Sequence, residues 1–284
     1  MFFLQKPRVD YKEVFAPVAR IETIRLVVAL ASKNNWSLFH LDVKLAFLNK
    51  PFNEIVFVTY PSGFEIKGKE KKVYKLHKAL YDLKQAPRSW NLKIESFLTN
   101  YEFLRCGVEH SVYYKRGVES SKVLICLYVD DLLVIGSDHN EIEKFKSLMK
   151  SESKMTNLGK LTYFLGMEFV KIADGTVTHK RKYTSGVLKW FNMIDCNPTT
   201  TPTKFKSKLE EATDDELVDP TLYKQLIGSL RYLYNNRLDL CYVVGLVSRF
   251  MHEPMRPHLI AAKRVLRYLK GTHSLSVLFP KAKK

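Results

Sequence analysis

Two adjacent carboxylates, Asp130 and Asp131, stand between two apolar runs in Ile125-Cys-Leu-Tyr-Val-Asp-Asp-Leu-Leu-Val-Ile135. Each run has the length and the Leu, Ile and Val content of a buried strand, and Gly136-Ser137 closes the second. A chain reversal through Tyr128-Val129-Asp130-Asp131 lacks the Gly or Asn that tight hairpin turns prefer. Two like charges beside an apolar sheet also repel and resist desolvation unless a cation neutralises them. Two broken local rules within four residues point to a functional site. An isolated Asp-Asp is usually an exposed turn, so the reading rests on its flanks, on the charge of the chain and on a second Asp motif.

That motif is Leu41-Asp42-Val43-Lys44-Leu45-Ala46-Phe47-Leu48-Asn49, where Asp42 ends an apolar strand. By itself Asp42 fits a helix cap or a turn. One carboxylate at a strand end and two on a hairpin can, however, converge three oxygen ligands on hard divalent cations. Mg²⁺ is the natural ion, because it accepts carboxylates and keeps positions open for phosphate oxygens and water. Two such ions, about 3.5–4 Å apart, clamp the attacking and leaving oxygens of an in-line phosphoryl displacement.

The elements that would position these groups follow from periodicity. Helical spacing runs from about Asp10 to Asn34, with Pro17 near its start, and Trp36 to Val43 alternates like a strand. A short strand at Ile55–Val58 ends at the Pro61-Ser-Gly63 turn, and a helix spans Leu80–Asn100, entered through Gln85-Ala-Pro87. After the aspartate hairpin come a helix over Asn140–Met149 and a strand pattern over Leu161–Val170 that Gly166 interrupts, as a bulge can. Gly175 turns into a strand at Thr176–His179, and helices follow at Tyr183–Phe191, Tyr223–Leu233 and His258–Leu269. Residues 197–220, poor in apolar side chains, read as a linker. No internal repeat is visible.

The net charge of +17 is spread along the whole chain, and a folded basic surface of that size favours a polyanion, nucleic acid first. A membrane partner is not expected, since no basic amphipathic helix with an aromatic apolar face appears. The N-terminal Met1-Phe-Phe-Leu-Gln-Lys-Pro is too short in apolar residues for a secretory signal, and no stretch reaches membrane-spanning length. An intracellular protein is the expectation. Cys106, Cys126, Cys196 and Cys241 have no CxxC spacing, which argues against a zinc site or disulfide framework. Cys126 and Cys241 read as small core residues.

The motifs Leu-Asp-Val-Lys-x-Ala-Phe-Leu-Asn at 41–49, Leu-Tyr-x-Leu-Lys-Gln-Ala-Pro-Arg-x-Trp at 80–90, Leu-Tyr-Val-Asp-Asp at 127–131 and Phe-Leu-Gly-Met-Glu at 164–168 occur in that order. In this the chain resembles the reverse transcriptase of copia-type LTR retrotransposons. A weaker similarity continues through residues 226–233 and 262–271, so the resemblance covers nearly the whole chain. It implies an α+β right-hand polymerase fold: partial fingers and palm over 1–170, the start of a thumb over 171–196, a linker over 197–220 and a helical thumb or connection over 221–284. It implies an RNA-directed DNA polymerase that takes dNTPs and an RNA or DNA template with primer, using two Mg²⁺ ions, with Mn²⁺ as a substitute.

The same resemblance implies roles for single residues. Asp42, Asp130 and Asp131 fall on the catalytic aspartates, with Asp42 and Asp130 as principal metal ligands and Val43 giving a backbone carbonyl. Phe47 falls on an aromatic gate against the ribose 2′-hydroxyl. Gln85, with Arg88 beside it, falls on a contact to the incoming nucleotide. Tyr128 and Val129 would lie against primer and template, and Phe164, Leu165, Gly166 and Met167 resemble a primer grip. Phe47 as core packing is the alternative.

Several positions depart from the family pattern. Lys50 and Asp82 stand where glycine is usual, and Asn236-Arg-Leu-Asp239 replaces Thr-Arg-Pro-Asp. A left-handed backbone at Asp82 would cost about 1 kcal/mol. Met-Phe-Phe-Leu-Gln-Lys stands where the family has a basic fingers segment, and no ribonuclease H, protease or integrase motif follows. The expectation is an excised piece of a polyprotein that polymerises feebly. A catalytically silent remnant that keeps the fold and at most binds nucleic acid is the second reading. Lys84, Arg88, Lys182 and Lys189 are the candidate backbone contacts. If six or more phosphates are neutralised, duplex affinity should fall roughly 10³-fold or more between ~50 and ~200 mM salt, with little dependence on sequence, as measured by filter binding.

Overall fold

A computed structural model of the chain describes residues 5–6, 11–49, 55–60, 63–64, 66–68, 72–116, 122–204, 209 and 216–282. The chain divides into two compact units, Met1–Leu161 and Thr162–Lys284. The first contains, in order, α1 (Ile21–Lys33), β1 (Ser37–Val43), β2 (Phe57–Val58), β3 (Tyr74–Lys75), α2 (Ala86–Asn100), β4 (Leu104–Arg105) and β5 (Val112–Arg116). It continues with β6 (Lys122–Tyr128), β7 (Asp131–Gly136), α3 (His139–Glu152) and β8 (Met155–Lys160). Among the described residues six strands form one antiparallel sheet in the order β4-β5-β6-β7-β1-β8, and β2 and β3 form a separate ribbon.

The apolar runs flanking the aspartates became β6 and β7, near the middle of that sheet. Leu132, Leu133, Val134 and Ile135 are all fully buried, because the sheet is covered on both faces. Leu132 and Val134 pack with Trp90, Ile94 and Leu98 of α2 and with Ile142, Phe145 and Met149 of α3. Leu133 and Ile135 alternate to the other face, where α1 packs on β1 and β7. Each such side chain contributes about 1.5–3 kcal/mol by leaving water. The helix α3 is started by Asp138, whose carboxylate accepts from the backbone amides of Asn140 and Glu141.

The β6–β7 reversal is a two-residue turn, Val129-Asp130, between paired Tyr128 and Asp131. Val129 takes φ +56°, a left-handed backbone that costs a β-branched residue about 1–2 kcal/mol. Two hydrogen bonds hold it there. The Trp90 indole N–H donates to the Val129 carbonyl at 2.7 Å, and the Val43 amide donates to the Asp130 carbonyl at 3.0 Å. Trp90 sits in the first turns of α2, so a core helix, the end of β1 and the hairpin tip form one locked cluster.

Several boundaries differ from the sequence expectation. The helix expected from about Asp10 begins only at Ile21, and Asp10 lies outside the described residues. Pro17 keeps Ala16 out of the helical region and supplies no amide hydrogen. The Ala19 amide instead bonds the Leu127 carbonyl, while Val14, Phe15 and Val18 are left exposed. The helix expected from Leu80 begins at Ala86, with Pro87 in its first turn, because the proline ring would collide with the Leu83 carbonyl if the helix ran through. Asp82 does not adopt the left-handed backbone, so no penalty arises there, and Lys50 lies outside the described residues. Residues 155–160, which show no clear alternation, pair with β1 as β8, with Leu158 as the extra residue where the register shifts between His40 and Leu41.

The second unit contains β9 (Tyr163–Phe164), β10 (Met167–Ile172), β11 (Gly175–His179), α4 (Arg181–Trp190), α5 (Pro220–Tyr234), α6 (Cys241–Ser248), α7 (Arg256–Gly271) and β12 (Val277–Pro280). Its sheet runs β12-β11-β10-β9, and Tyr223, Leu226, Leu230, Val244, Leu266 and Leu269 belong to its helical core. Gly166 is the second residue of a tight turn, not a bulge: Leu165 (φ +48°) and Gly166 (φ +76°) join paired Phe164 and Met167. A side chain at 166 would strike Tyr232, whose hydroxyl donates to the Leu165 carbonyl at 2.7 Å. Cys126 is buried as expected, but Cys241 is exposed, because α6 turns Val243, Val244 and Val247 inward instead. In the Asn236–Asp239 segment Arg237 clasps Asp239 with two hydrogen bonds and reaches Thr272. Burial opposes the Asp239 charge, yet Arg237 and the Tyr268 hydroxyl hold its carboxyl below the usual range. Much of the linker expected over 197–220 (205–208 and 210–215) lies outside the described residues, and α5 already begins at Pro220.

The indole bond at the hairpin tip is testable. Trp90→Phe keeps most of the packing but strands the Val129 carbonyl, so it should destabilise the chain by about 1–3 kcal/mol in urea unfolding. A change within about 0.5 kcal/mol would mean that the turn holds itself.

Candidate active site

Asp42 is the penultimate residue of β1 and stands directly opposite Asp131, the first residue of β7. Side chains paired in this way share one face of the sheet, with Cβ atoms about 4.5–5.5 Å apart. Asp130, in the turn, completes the group. Burial pushes its carboxyl above the usual range; a hydrogen bond from its own backbone amide opposes this, and the charges of Asp131 and Asp42 add to the rise. The structure therefore brings the three sequence-picked aspartates together at one sheet end.

Their partners differ. The Asp131 carboxylate is 2.6 Å from Nε2 of His40, which lies two residues before Asp42 on the same strand and hence on the same face. Sequence reading passed over His40, although that two-residue spacing was a usable signal. Val43 is buried, and its amide is the one that pins the turn. Tyr128 and Val129, both half-buried, lie at the hairpin tip itself.

Phe47 and Gln85 are set deeper. Phe47 is 7% exposed and lines a small internal cavity with Pro17, Pro87, Trp90, Leu127 and Val129. Gln85 is buried, and its amide oxygen accepts from the Gln5 side chain at 3.0 Å. Arg88 pairs with Glu13 at 2.9 Å, a partly exposed contact worth about 0–1 kcal/mol and easily exchanged for another anion. Lys84 is exposed in this unit, and Lys182 and Lys189 are exposed on α4 of the second. The grip-like residues 164–167 also belong to the second unit. There Phe164 and Met167 are buried, and Leu165 and Gly166 are half-buried in the turn between them.

The donor set tests the divalent ions that the family uses. Among the described residues no group of three or more His, Cys, Asp or Glu is arranged to hold a metal. Mg²⁺, however, is commonly bound by one or two carboxylates, with water and substrate phosphates completing its shell. Asp42 and Asp130 are such a pair, all-oxygen, and a cation between them would offset the burial and the like charges that raise the Asp130 pKa. The residues fit the ion.

A mixed fold with an antiparallel sheet and three carboxylates at its strand ends defines a class, and the chain's relatives agree. Residues 2–205 match the family model described as reverse transcriptase (RNA-dependent DNA polymerase), and the chain belongs to that family. It is 37% identical over 279 residues to the retrovirus-related Pol polyprotein from transposon TNT 1-94 of Nicotiana tabacum, covering 95% of this chain and 21% of that protein. It is 37% identical over 278 residues to the corresponding polyprotein of transposon RE1 of Arabidopsis thaliana, covering 98% and 19%. A putative transposon Ty5-1 protein of Saccharomyces cerevisiae is 34% identical over 241 residues, covering 84% of this chain and 78% of that one. The resemblance to copia-type retrotransposon reverse transcriptases thus holds, and the chain spans about a fifth of the plant polyproteins it matches. No helix among the described residues is long and apolar enough to cross a membrane.

Because folding raises the Asp130 pKa, it favours the protonated carboxyl. The stability linked to that proton is present below the ordinary carboxylate range and is lost as pH rises through the raised value. Asp130→Asn should therefore raise the thermal midpoint at neutral pH in chelator. The gain should shrink toward about pH 3, where the wild-type carboxyl is protonated as well, and shrink again when Mg²⁺ is added. Equal midpoints at neutral pH would show that the charge is already compensated.

Proposed function

We propose that this chain is the polymerising part of a retrotransposon reverse transcriptase, with the first unit as palm and partial fingers and the second as thumb. The observation that carries the reading is the convergence of Asp42, Asp130 and Asp131 at a strained, pinned turn, in a chain of the reverse transcriptase family. The reaction is nucleotidyl transfer from a dNTP to a primer 3′-hydroxyl on an RNA or DNA template, releasing pyrophosphate. Asp42 and Asp130 would hold the divalent ions, Mg²⁺ or Mn²⁺. Those ions, when bound, neutralise charge on the phosphates and lower the pKa of the attacking hydroxyl.

The chain's own residues have separable tasks in this reading. His40 holds the Asp131 carboxylate at 2.6 Å, which leaves Asp42 and Asp130 as the pair turned to the ions. Tyr128 and Val129 place a rigid tip against primer and template. Arg88 can trade its Glu13 partner for a triphosphate oxygen, a stronger and more highly charged acceptor. Gln85 supports that region from behind, through Gln5. The Leu165-Gly166 turn offers backbone to a primer phosphate, with Phe164 and Met167 as its buried anchors.

A second reading is a silent remnant that keeps the fold and binds nucleic acid only. It is favoured by Asp131 being already engaged with His40. Extension of a labelled primer on a homopolymer template, with Mg²⁺ or Mn²⁺, separates the two. The polymerase reading expects extension that falls about 10³-fold or more in Asp42→Asn and in Asp130→Asn, since each removes several kcal/mol of charge stabilisation. It expects a smaller loss, about 10–100-fold, in His40→Ala, which disturbs orientation only. Duplex binding without extension in either metal would establish the remnant.

A further inference from the structure

In the second unit residues 196–204 form neither helix nor strand and lie as a strap along α7. Side chains and backbone of the helix fasten it. The Lys270 ammonium donates to the Cys196 carbonyl at 2.7 Å, and Nε of Arg267 donates to the Asn197 carbonyl at 2.6 Å. The Thr199 amide donates to the Arg267 carbonyl at 3.3 Å, and Nη2 of Arg264 donates to the Thr201 hydroxyl at 2.9 Å. As the strap advances from 196 to 201 its partners fall back from 270 to 264, so strap and helix run antiparallel. Gly271 permits the close approach, since a Cβ there would come within 3.1 Å of the Pro198 side chain.

Thr201 is exposed and is followed by Pro202. Of the 11 prolines in the chain, Pro202 alone is preceded by a serine or threonine. Lys204, three residues beyond Thr201, is exposed as well. Arg264 is under-used by its partner. Its Nη2 meets a neutral hydroxyl, and its Nε, on the same edge of the guanidinium, is buried with no hydrogen-bond partner among the described residues. The same edge of Arg237 holds both oxygens of Asp239, at 3.0 and 2.7 Å. A guanidinium edge of this kind is shaped for a carboxylate or a phosphate. Its own helix supplies Arg264 with neither, because the charged side chains of α7 are Arg256, Lys263, Arg264, Arg267 and Lys270.

We propose that Thr201 is a phosphorylation site for a proline-directed protein kinase, and that Arg264 receives the phosphate and locks the strap onto α7. Pro202 brings no amide hydrogen and biases Thr201 to extended backbone, which is the shape that a cleft selective for Thr-Pro accepts. Lys204 adds a charge that such a cleft can read. In the transfer the Thr201 hydroxyl oxygen bonds to the γ-phosphorus of ATP, and the bond from that phosphorus to the β–γ bridging oxygen breaks. ADP leaves, and the hydroxyl proton passes to the base of the kinase. The product sets three acceptor oxygens and about −1.5 to −2 charges beside the guanidinium, so a neutral contact becomes a charge-assisted one. The lock lies outside the polymerase reading and does not depend on it. It governs how firmly residues 196–201 are held within the second unit.

The full chain is incubated with a proline-directed kinase and ATP, and the modified residues are read by tandem mass spectrometry. Phosphate is expected on Thr201, unchanged in Thr199→Ala and Thr200→Ala and lost in Thr201→Val. A ³¹P NMR titration of the phosphorylated chain then tests the receiver. The second pKa of a free phosphothreonine is about 6, and a guanidinium bonded to the phosphate lowers it. The wild-type chain should titrate about 0.5 or more below the phosphorylated Arg264→Gln chain. A phosphopeptide of residues 196–204 gives the same reference if that variant does not fold. Phosphorylation should also raise the thermal midpoint of the wild-type chain by about 2–4 °C and leave that of Arg264→Gln where it was. Absence of phosphate from Thr201, or phosphate on its neighbours instead, overturns the site. A phosphate on Thr201 that titrates as it does in the peptide or in Arg264→Gln overturns the lock.

Discussion

The Trp90 indole and the Val43 amide each donate to a carbonyl of the Val129-Asp130 turn, and through those two bonds the hairpin is tied to a helix and to a neighbouring strand. A valine at φ +56° does not hold that conformation by preference. The surrounding structure over-determines it, as strained residues at functional sites require. The cost of about 1–2 kcal/mol is small beside the burial of β6 and β7 on both faces. What the arrangement secures is the position of Asp130. With both peptide carbonyls of the turn fixed, its carboxylate is held near Asp42 and Asp131 despite their repulsion.

Repulsion and confinement together would make a bound cation favourable at the site, in keeping with the proposed function. In a flexible turn, three carboxylates would separate and take up water. Here Asp42 and Asp131 are held by strand register and Asp130 by the pinned tip, and burial, with the nearby charges of Asp131 and Asp42 adding to it, makes the Asp130 carboxyl a weaker acid. His40 relieves one of the three by binding Asp131. The remaining pair presents an all-oxygen face suited to a hard divalent ion that keeps its other positions for water and phosphate. Rigidity of the scaffold and readiness for metal are, in this sense, the same property.

The second unit relies on a different arrangement. Its turn at Leu165-Gly166 needs left-handed backbone at two successive residues, which Gly166 adopts readily, and Tyr232 of α5 locks the Leu165 carbonyl. The Arg237–Asp239–Tyr268 cluster then ties the segment before α6 to α7. Removing one member would leave a partly buried charge without its partner, a larger loss than the pair contributes when intact. The motif at 236–239 is therefore accounted for by packing of this unit alone.

The sequence by itself determined the family, the antiparallel hairpin and the identity of the three aspartates. These are local matters: apolar runs of strand length, an acidic pair without turn residues, and motifs in a recognisable order. The strand spacing even contained the His40–Asp42 relation, since residues two apart share a face. It did not reveal that α1 starts at Ile21 or α2 at Ala86, because there two prolines override a continuous apolar period. Nor could it reveal β8, which is a strand because β1 offered an unpaired edge. Only tertiary structure decided which side chains of the nucleotide motifs face outward. Burial of Phe47 and Gln85 and exposure of Tyr81 depend on how the turn before α2 packs against the end of β1, a contact between segments far apart in the chain. Residue type cannot specify such a contact, since an aromatic ring is equally at home as core or as contact surface until its neighbours are in place.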